Sequence, residues 1–211
     1  MWPRSGRRGA VGEDGRVNHD LVLAGHGVRL EPLGPQHAAA LFPLVDADLW
    51  FGMTSPVPAS VADLEAWIDA GVATPGTMAF AVVGDDGTGG EGTVRGSTRF
   101  YDLAPGPGRV EIGTTFYGRD WWGGTTNPAC KLLLLRHAFE EWGLRRVALR
   151  ADSRNARSCA AIQRLGAKPE GVLRRHRVAA DGTVGDTAYF SIVDDEWPDV
   201  RDGLGRRLAA A

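Results

Sequence analysis

The sequence predicts a mixed α+β fold in which one sheet of six to seven strands is flanked by four to five helices. Short runs rich in β-branched and aromatic residues are interspersed with amphipathic stretches in mixed order, which excludes an all-α or all-β chain. A strand–helix–strand unit spans residues 109–151, and the dipeptide Asp181–Gly182 marks a hairpin near the C-terminus. Together these observations predict one mixed sheet with helices packed against it.

Length and composition favour a single domain of ordinary type. Of the 211 residues, we expect 1–20 to form a disordered tail and 21–211 to form one domain. The net charge of −2 gives no support for nucleic-acid or membrane partners. Cys130 and Cys159 lie outside any C-x-x-C pattern, which favours a reducing, cytoplasmic compartment. No apolar run approaches transmembrane length, the N-terminus does not resemble a secretory signal, and no spacing is typical of metal ligands.

The first half of the chain predicts strands and helices in irregular order. Residues 28–33 alternate as a strand does, and residues 35–45 carry apolar side chains at helical spacing. Ser60 is expected to cap a second helix. Residues 77–84 and 95–103 then form a hairpin across a Gly- and Asp-rich turn.

The second half predicts a longer series of elements. A strand over 110–117 and a loop lead to a helix that is apolar nearly all round, so this helix is expected to be buried on more than one side. The remaining predicted elements follow in chain order: the end of that helix (128–142), a strand (146–151), a helix (155–165), the hairpin strands (172–180 and 183–193) and a short last helix from Asp194.

The junction before the buried helix is the most informative stretch. Residues 118–126 form a small-residue loop between a strand and a helix, with Asn127 as the expected N-cap and Pro128 in the first turn. The first amide groups of a helix lack internal partners, and the helix dipole adds positive potential there. Gly123 and Gly124 allow close approach of the backbone to a ligand. The pattern is typical of a phosphate site, and the alternative interpretation is an ordinary strand–loop–helix connection.

Several ordered motifs resemble the GNAT-type N-acetyltransferases, on the branch that includes the Rim-type ribosomal-protein N-acetyltransferases. The resemblance covers roughly residues 27–205. The motifs that carry it, in chain order, are E-I-G at 111–113, W-W-G-G-T-T-N-P-A-C-K-L-L-L-L-R-H-A-F-E at 121–140, D-S-R-N-A-R-S at 152–158, I-Q-R-L-G-A at 162–167, L-R-R-H at 173–176 and D-T-A-Y-F-S-I-V-D-D-E-W at 186–197.

This resemblance implies a GNAT-like twisted mixed sheet splayed open between its fourth and fifth strands, with acetyl-CoA as co-substrate in the cleft and no metal. The pantetheine arm would pair with the backbone of three residues: Thr115, Phe116 and Tyr117. The pyrophosphate would lie on five others: Gly123, Gly124, Thr125, Thr126 and Asn127. Asn155 is expected to contact CoA as well as cap its helix.

The loop departs from the family pattern Q/R-x-x-G-x-G/A, because no Gln or Arg stands at its start. If Trp121 takes the first position, Gly124 takes the central glycine and Thr126 the last position. If Trp122 takes it, Thr125 and Asn127 fill those positions instead. We prefer the first register because it keeps a glycine where the backbone approaches phosphate, with hydroxyl and amide side chains compensating for the missing residue.

Two residues are candidates for the chemistry. Glu111 is a charged residue in an apolar strand beside the expected cleft and could act as general base through a water, or could be a structural carboxylate. The tyrosine that acts as general acid in many relatives is replaced by Ile162. Ser158 stands where a serine can take that role in Rim-type relatives, and its alternative is a hydroxyl bonded to its own helix.

The sequence therefore predicts an acetyl-CoA-dependent N-acetyltransferase that acts by direct attack in a ternary complex. The expected acceptor is a small-molecule amine or a protein N-terminus, without nucleic acid or membrane, and the chain could form a homodimer. The altered loop and the missing tyrosine also leave open a non-catalytic CoA-binding module. An unrelated nucleotide-phosphate binder is disfavoured, since the loop lacks the G-K-[ST] ending of a P-loop.

Overall fold

A computed structural model describes residues 10–11, 17–88, 90 and 92–211. Within these residues there are ten strands: β1 (Ala10–Val11), β2 (Val17–Asn18), β3 (Leu23–Gly25), β4 (Val28–Pro32), β5 (Met78–Gly84), β6 (Val94–Ala104), β7 (Arg109–Tyr117), β8 (Arg146–Asp152), β9 (Lys168–Val178) and β10 (Val184–Val193). The α-helices are α1 (Ala38–Leu41), α2 (Ala47–Trp50), α3 (Val61–Val72), α4 (Thr126–Arg136), α5 (Ala156–Gln163) and α6 (Trp197–Ala209).

Eight of the strands form one mixed sheet in the order β3-β4-β5-β6-β7-β8-β10-β9, while β1 pairs only with β2. Within the large sheet every neighbouring pair is antiparallel except β7 and β8, which are parallel and joined through α4. The predicted α+β class and the strand–helix–strand unit are confirmed. The sheet has one strand more than predicted, because the short segment Leu23–Gly25 pairs with the edge of β4.

The two parallel strands separate soon after they meet. They pair only at Arg109–Arg146, Val110–Val147 and Glu111–Ala148. Beyond these positions β7 stays attached to β6 alone, and a register shift in that pairing coincides with a left-handed residue, Thr114, at φ +46°. A bulge of this kind bends the strand. The expected splay is therefore confirmed, between the fifth and sixth strands once β3 is counted.

Each face of the sheet carries its own apolar core. Helices α4 and α6 pack on one face with the leucines of α4, and α1 and α3 pack on the other face around Trp50, Leu64 and Ile68. Nearly every residue of α4 is buried, as its uniformly apolar sequence predicts. No helix among the described residues is both long enough and apolar enough to cross a membrane.

The helix predicted over 35–45 and both ends of the central helix differ from expectation in the structure. Pro43 lacks an amide hydrogen, so the helix expected over 35–45 is instead a short α-helix between two 3-10 turns. The α-helix expected to run to Trp142 ends at Arg136 and continues as a π-turn, His137–Glu141, before Gly143 at φ +62°. At its start, α4 begins with Thr126, so Asn127 lies in the first turn and is not the N-cap.

Much of the predicted N-terminal tail, 1–20, lies outside the described residues. Inside that range the structure shows the strands β1 and β2, and it places His19, whose Nε2 lies 2.9 Å from the carbonyl oxygen of Ala79.

Candidate active site in the splayed sheet

A cavity of about 540 Å³ opens where β7 and β8 part. One wall is β7 from Ile112 to Tyr117, and the opposite wall is β8 from Leu149 to Asp152 together with α5. The loop before α4 closes one side, and Leu49 of α2 approaches together with residues 51–55 of the segment after it. Because β7 has no neighbour on this side beyond Glu111, its backbone groups are available to a ligand.

The three strand residues predicted to pair with pantetheine all line this cavity. Their side chains are held elsewhere: the Phe116 ring packs 5.4 Å from that of Trp50, and the buried Tyr117 belongs to the core on the α4 face. The Thr115 hydroxyl lies 2.7 Å from that of Thr98. The side chains of Phe116 and Tyr117 thus pack in the protein interior. The backbone groups on the unpaired side of β7 stay available to a ligand, except the Tyr117 carbonyl, which accepts from Trp122 Nε1.

The loop predicted to hold pyrophosphate folds as a 3-10 turn, Arg119–Trp121, followed by two exposed glycines. Gly123 adopts φ +75°, which a residue with a Cβ disfavours, and Gly124 has no such constraint. A Cβ built on either glycine meets no atom within 4 Å, so both face open space. Gly123, Gly124 and Asn127 line the cavity.

Thr125 and Thr126 do not line the cavity. Thr126 is buried, and its hydroxyl accepts a hydrogen bond of 3.3 Å from Arg95 Nη1. Their contribution to an anion site would come from the backbone, since the amides of Thr126 and Asn127 have no intrahelical acceptor and Pro128 has no amide hydrogen. The hydroxyls of the two threonines were expected to compensate for the missing Gln or Arg of the loop. In the structure neither threonine lines the cavity, so their side chains do not do so.

Both tryptophans of the loop serve as supports for arginines. Trp122 donates its indole N–H to the carbonyl oxygen of Tyr117 at 2.7 Å, and the Arg157 guanidinium lies 3.6 Å above its ring. Arg95 lies 4.2 Å above Trp121 in the same way. Since Arg157 also lines the cavity, a cation from α5 stands beside the loop that lacks the family's Gln or Arg.

The two polar residues predicted on the α5 side, Asn155 and Ser158, both line the cavity. Asn155 caps α5, because its Oδ1 accepts from the Ser158 amide at 3.0 Å while its Nδ2 donates to the carbonyl of Phe51 at 3.3 Å. The Ser158 hydroxyl makes no hydrogen bond to another residue in the described part of the chain. Both polar atoms of the Asn155 side chain are therefore hydrogen-bonded, whereas the Ser158 hydroxyl is free to bind a ligand.

Glu111 is buried, only 6% exposed, and does not line the cavity. Its carboxylate accepts a short hydrogen bond from the Tyr101 hydroxyl and lies 2.8 Å from Arg150 Nε. Burial raises the pKa of the Glu111 carboxyl, although Tyr101 and Arg150 both favour its ionised form. Tyr101 and Arg150 both line the cavity and both contact the Glu111 carboxylate. They therefore connect this buried carboxylate to the cavity.

The sequence reasoning missed several charged or polar residues that line the cavity, among them Arg99, Tyr101, Lys131 and Arg150. For Lys131 and Arg99, the sequence context itself could have indicated a functional role. Lys131 is one of only two lysines and lies within an apolar helix, and Arg99 is a guanidinium inside a buried strand. No pattern in the sequence could have paired Arg150 with Glu111, since their contact depends on the register of β7 and β8.

Lys131 is 4% exposed, and its ammonium donates to the hydroxyls of Thr115 at 3.0 Å and Thr98 at 3.3 Å. Burial lowers the pKa of this lysine to about 8. His176, the last residue of the L-R-R-H motif, is exposed and also lines the cavity, with Nδ1 3.1 Å from the Thr187 hydroxyl.

The cavity lining is strongly cationic. Among the described residues that line it, Asp152 is the one carboxylate, and the lining cations are Arg99, Lys131, Arg150, Arg157, Arg164, Arg177 and Arg207. Asp152 already lies 2.8 Å from Arg154 Nη2 and 3.5 Å from Arg177 Nε. The hydrogen bond from Arg154 lowers the pKa of Asp152, so this carboxylate stays ionised and paired.

Comparison with known proteins places the chain among acetyltransferases. The family model described as an acetyltransferase (GNAT) domain matches residues 28–168. A protein of T. thermophilus classed as an acetyltransferase is 34% identical, with a TM-score of 0.82 over 89% of this chain and 96% of that one. A GCN5-related N-acetyltransferase from Brucella melitensis is 29% identical, with a TM-score of 0.82 over 90% of this chain and 86% of that one.

More distant structures share the fold. Mycobacterium smegmatis RimJ, solved in complex with CoA-disulfide, is 22% identical, with a TM-score of 0.70 over 90% of this chain and 92% of that one. No curated protein matches the sequence significantly.

Proposed function

The chain belongs to the GNAT family of N-acetyltransferases, and we propose that it transfers the acetyl group of acetyl-CoA to a primary amine by direct attack in a ternary complex. The acceptor in this proposal is a small-molecule amine or a protein N-terminus. The observation that carries the proposal is the cavity at the divergence of β7 and β8, walled by a strand edge without a partner and closed by a glycine loop at a helix N-terminus.

We propose one orientation for acetyl-CoA in this cavity. Its amide-containing pantetheine arm extends along the free edge of β7, where the segment from Thr115 to Tyr117 supplies backbone donors and acceptors other than the Tyr117 carbonyl, which Trp122 occupies. Its pyrophosphate lies on Gly123, Gly124 and the first amides of α4, with the Arg157 guanidinium beside it. In this orientation the thioester lies toward Glu111, at the narrow end of the cleft.

The transfer requires a neutral amine and a stabilised oxyanion. The amine nitrogen attacks the thioester carbonyl, the carbon–nitrogen bond forms, and the carbon–sulfur bond breaks to release CoA thiolate. A backbone amide of the unpaired β7 edge is positioned to stabilise the oxyanion. Acyl-enzyme formation is disfavoured, because burial raises the pKa of Cys130 to about 11 and also raises the pKa of Cys159.

Glu111 acts as the general base in this proposal, through the hydroxyl of Tyr101. Tyr101 lines the cavity and its hydroxyl already donates to Glu111, so in this proposal the hydroxyl accepts a proton from the attacking amine as it passes its own to the carboxylate. Arg150 holds both groups, with its Nε 3.1 Å from the Tyr101 oxygen. Ser158, which lines the cavity from α5, acts as the general acid: its hydroxyl gives a proton to the leaving thiolate and takes one back from solvent.

Two measurements test this function. Calorimetry with acetyl-CoA reports binding, and a thiol-release assay over a panel of amines and N-terminal peptides reports turnover. We expect binding, turnover on at least one amine, and initial-rate lines that intersect, as a ternary complex requires. Binding without turnover on any amine would support the non-catalytic CoA module instead. Parallel initial-rate lines together with an acetylated cysteine in the protein would refute direct attack.

A further inference from the structure

Arg99 is the most unusual charged residue of the cavity. It lies on β6 and is only 9% exposed, yet it lines the cavity. Its guanidinium lies 4.8 Å from the centre of the Trp67 ring on α3. Gly71 leaves room for it, since a Cβ at that position would lie 2.6 Å from Nη1. The surrounding chain is therefore shaped to hold a guanidinium at this position.

No carboxylate among the described residues pairs with the Arg99 guanidinium. Its Nε and Nη2 are buried without a hydrogen-bond partner in the same part of the chain. Burial lowers the pKa of Arg99 to about 10, because nothing nearby compensates fully for its lost hydration. By contrast, Arg150 and Arg177 in the same cavity each face a carboxylate, Glu111 and Asp152. A buried, unpaired guanidinium is costly, which is expected where a ligand supplies the anion.

The location of Arg99 separates it from the expected phosphates of CoA. In the sheet it opposes Gly113, two residues beyond the last paired position of β7 and β8. The glycine loop begins only after Tyr117, roughly 13 Å further along β7 at about 3.3 Å per residue. Arg99 thus lies near the narrow end of the cleft, where the acceptor meets the thioester.

Arg99 and Tyr101 are two residues apart on one strand, so their side chains leave the same face about 7 Å apart at the backbone. Tyr101 is the group that connects the cavity to the proposed base. A single small molecule that carries both an amine and a carboxylate can therefore reach both residues.

We propose that the acceptor is an amino acid or a close analogue, whose carboxylate forms a bidentate ion pair with Arg99 while its amine faces Tyr101. The assignment rests on the proposed acetyl transfer. Planar guanidinium and carboxylate groups match in this geometry. The charge of the lining agrees with it, since the one lining carboxylate, Asp152, is already paired and a polycationic acceptor would find no free anion among the described lining residues.

The decisive experiment compares matched acceptors on the wild-type protein. The twenty amino acids, their primary carboxamides and the corresponding decarboxylated amines are assayed by thiol release under saturating acetyl-CoA. For the preferred side chain we expect kcat/KM for the free acid to exceed that for the carboxamide by about 100-fold or more, because the amide leaves Arg99 unpaired. Equal rates for acid and amide, or a preference for the amide, would overturn the assignment while leaving acetyl transfer intact.

Variants test the residue itself. Arg99→Met is expected to bind acetyl-CoA with unchanged affinity in calorimetry and to lose most of the acid-over-amide preference, and Arg99→Lys is expected to retain part of it. Arg201→Gln, at a half-buried position of α6 that does not line the cavity, serves as the control and should keep the full preference. A folded Arg99→Met or Arg99→Lys protein with the wild-type preference would contradict the role of Arg99. Absence of turnover on every acceptor, without acetyl-CoA binding, would refute the proposed function itself.

Discussion

Arg150 Nε lies 2.8 Å from Glu111 Oε1, at the last position where β7 and β8 are still paired. The divergence of the two strands opens the cavity directly beyond this ion pair. Tyr101 donates to the same carboxylate from the neighbouring strand. The narrow end of the cleft therefore contains a buried carboxylate, reached from the cavity through a tyrosine and an arginine.

Removing the carboxylate tests its proposed role as base. We expect Glu111→Gln to lower kcat about 100-fold or more and to leave acetyl-CoA affinity within twofold, since the side chain does not line the cavity. Tyr101→Phe should cause a similar loss, and the double variant should be little worse than either one because the two act as a unit. The exposed Glu141→Gln is the control. A Glu111→Gln protein with wild-type kcat at neutral pH would show that the carboxylate is structural.

The two loop glycines make a matched pair. Gly123→Ala should destabilise the fold by about 1–2 kcal/mol, because its φ of +75° is disfavoured for alanine. Gly124→Ala should leave the free energy of unfolding nearly unchanged, since it carries no such constraint and its Cβ would meet no atom. Gly124→Val should weaken acetyl-CoA binding in calorimetry at least tenfold. Unchanged affinity for Gly124→Val would show that the backbone does not approach phosphate at this position.

The buried ammonium of Lys131 should make the free energy of unfolding depend on pH. Burial lowers its pKa in the folded chain to about 8, against about 10.4 when unfolded, so between these values only the unfolded state binds the extra proton. Its contribution to stability therefore rises with pH across this window. Relative to Lys131→Met, the unfolding free energy of the wild type should rise by about 2 kcal/mol between pH 7 and pH 9.5. Urea unfolding of both proteins without acetyl-CoA measures it, and a difference that does not change with pH would refute the shift.

Local patterns were sufficient for most of the fold, but not for the interior of the site. The hairpin through Asp181–Gly182, the buried helix α4 and the glycine loop follow from turn chemistry and periodicity, and the structure contains each of them. The π-turn after Arg136 and the engagement of Thr126 by Arg95 depend on tertiary packing. The ion pair of Glu111 and the isolation of Arg99 arise from strand register and from side chains distant in sequence, which no local pattern encodes.

A crystal structure of the protein with CoA tests the central claim most directly. The account predicts pantetheine along the free edge of β7, with amide hydrogen bonds to the backbone of Thr115 to Tyr117. It places the pyrophosphate on Gly123, Gly124 and the amides of Thr126 and Asn127, and the sulfur toward Tyr101. CoA bound outside the cavity between β7 and β8, or with its phosphates away from this loop, would contradict it.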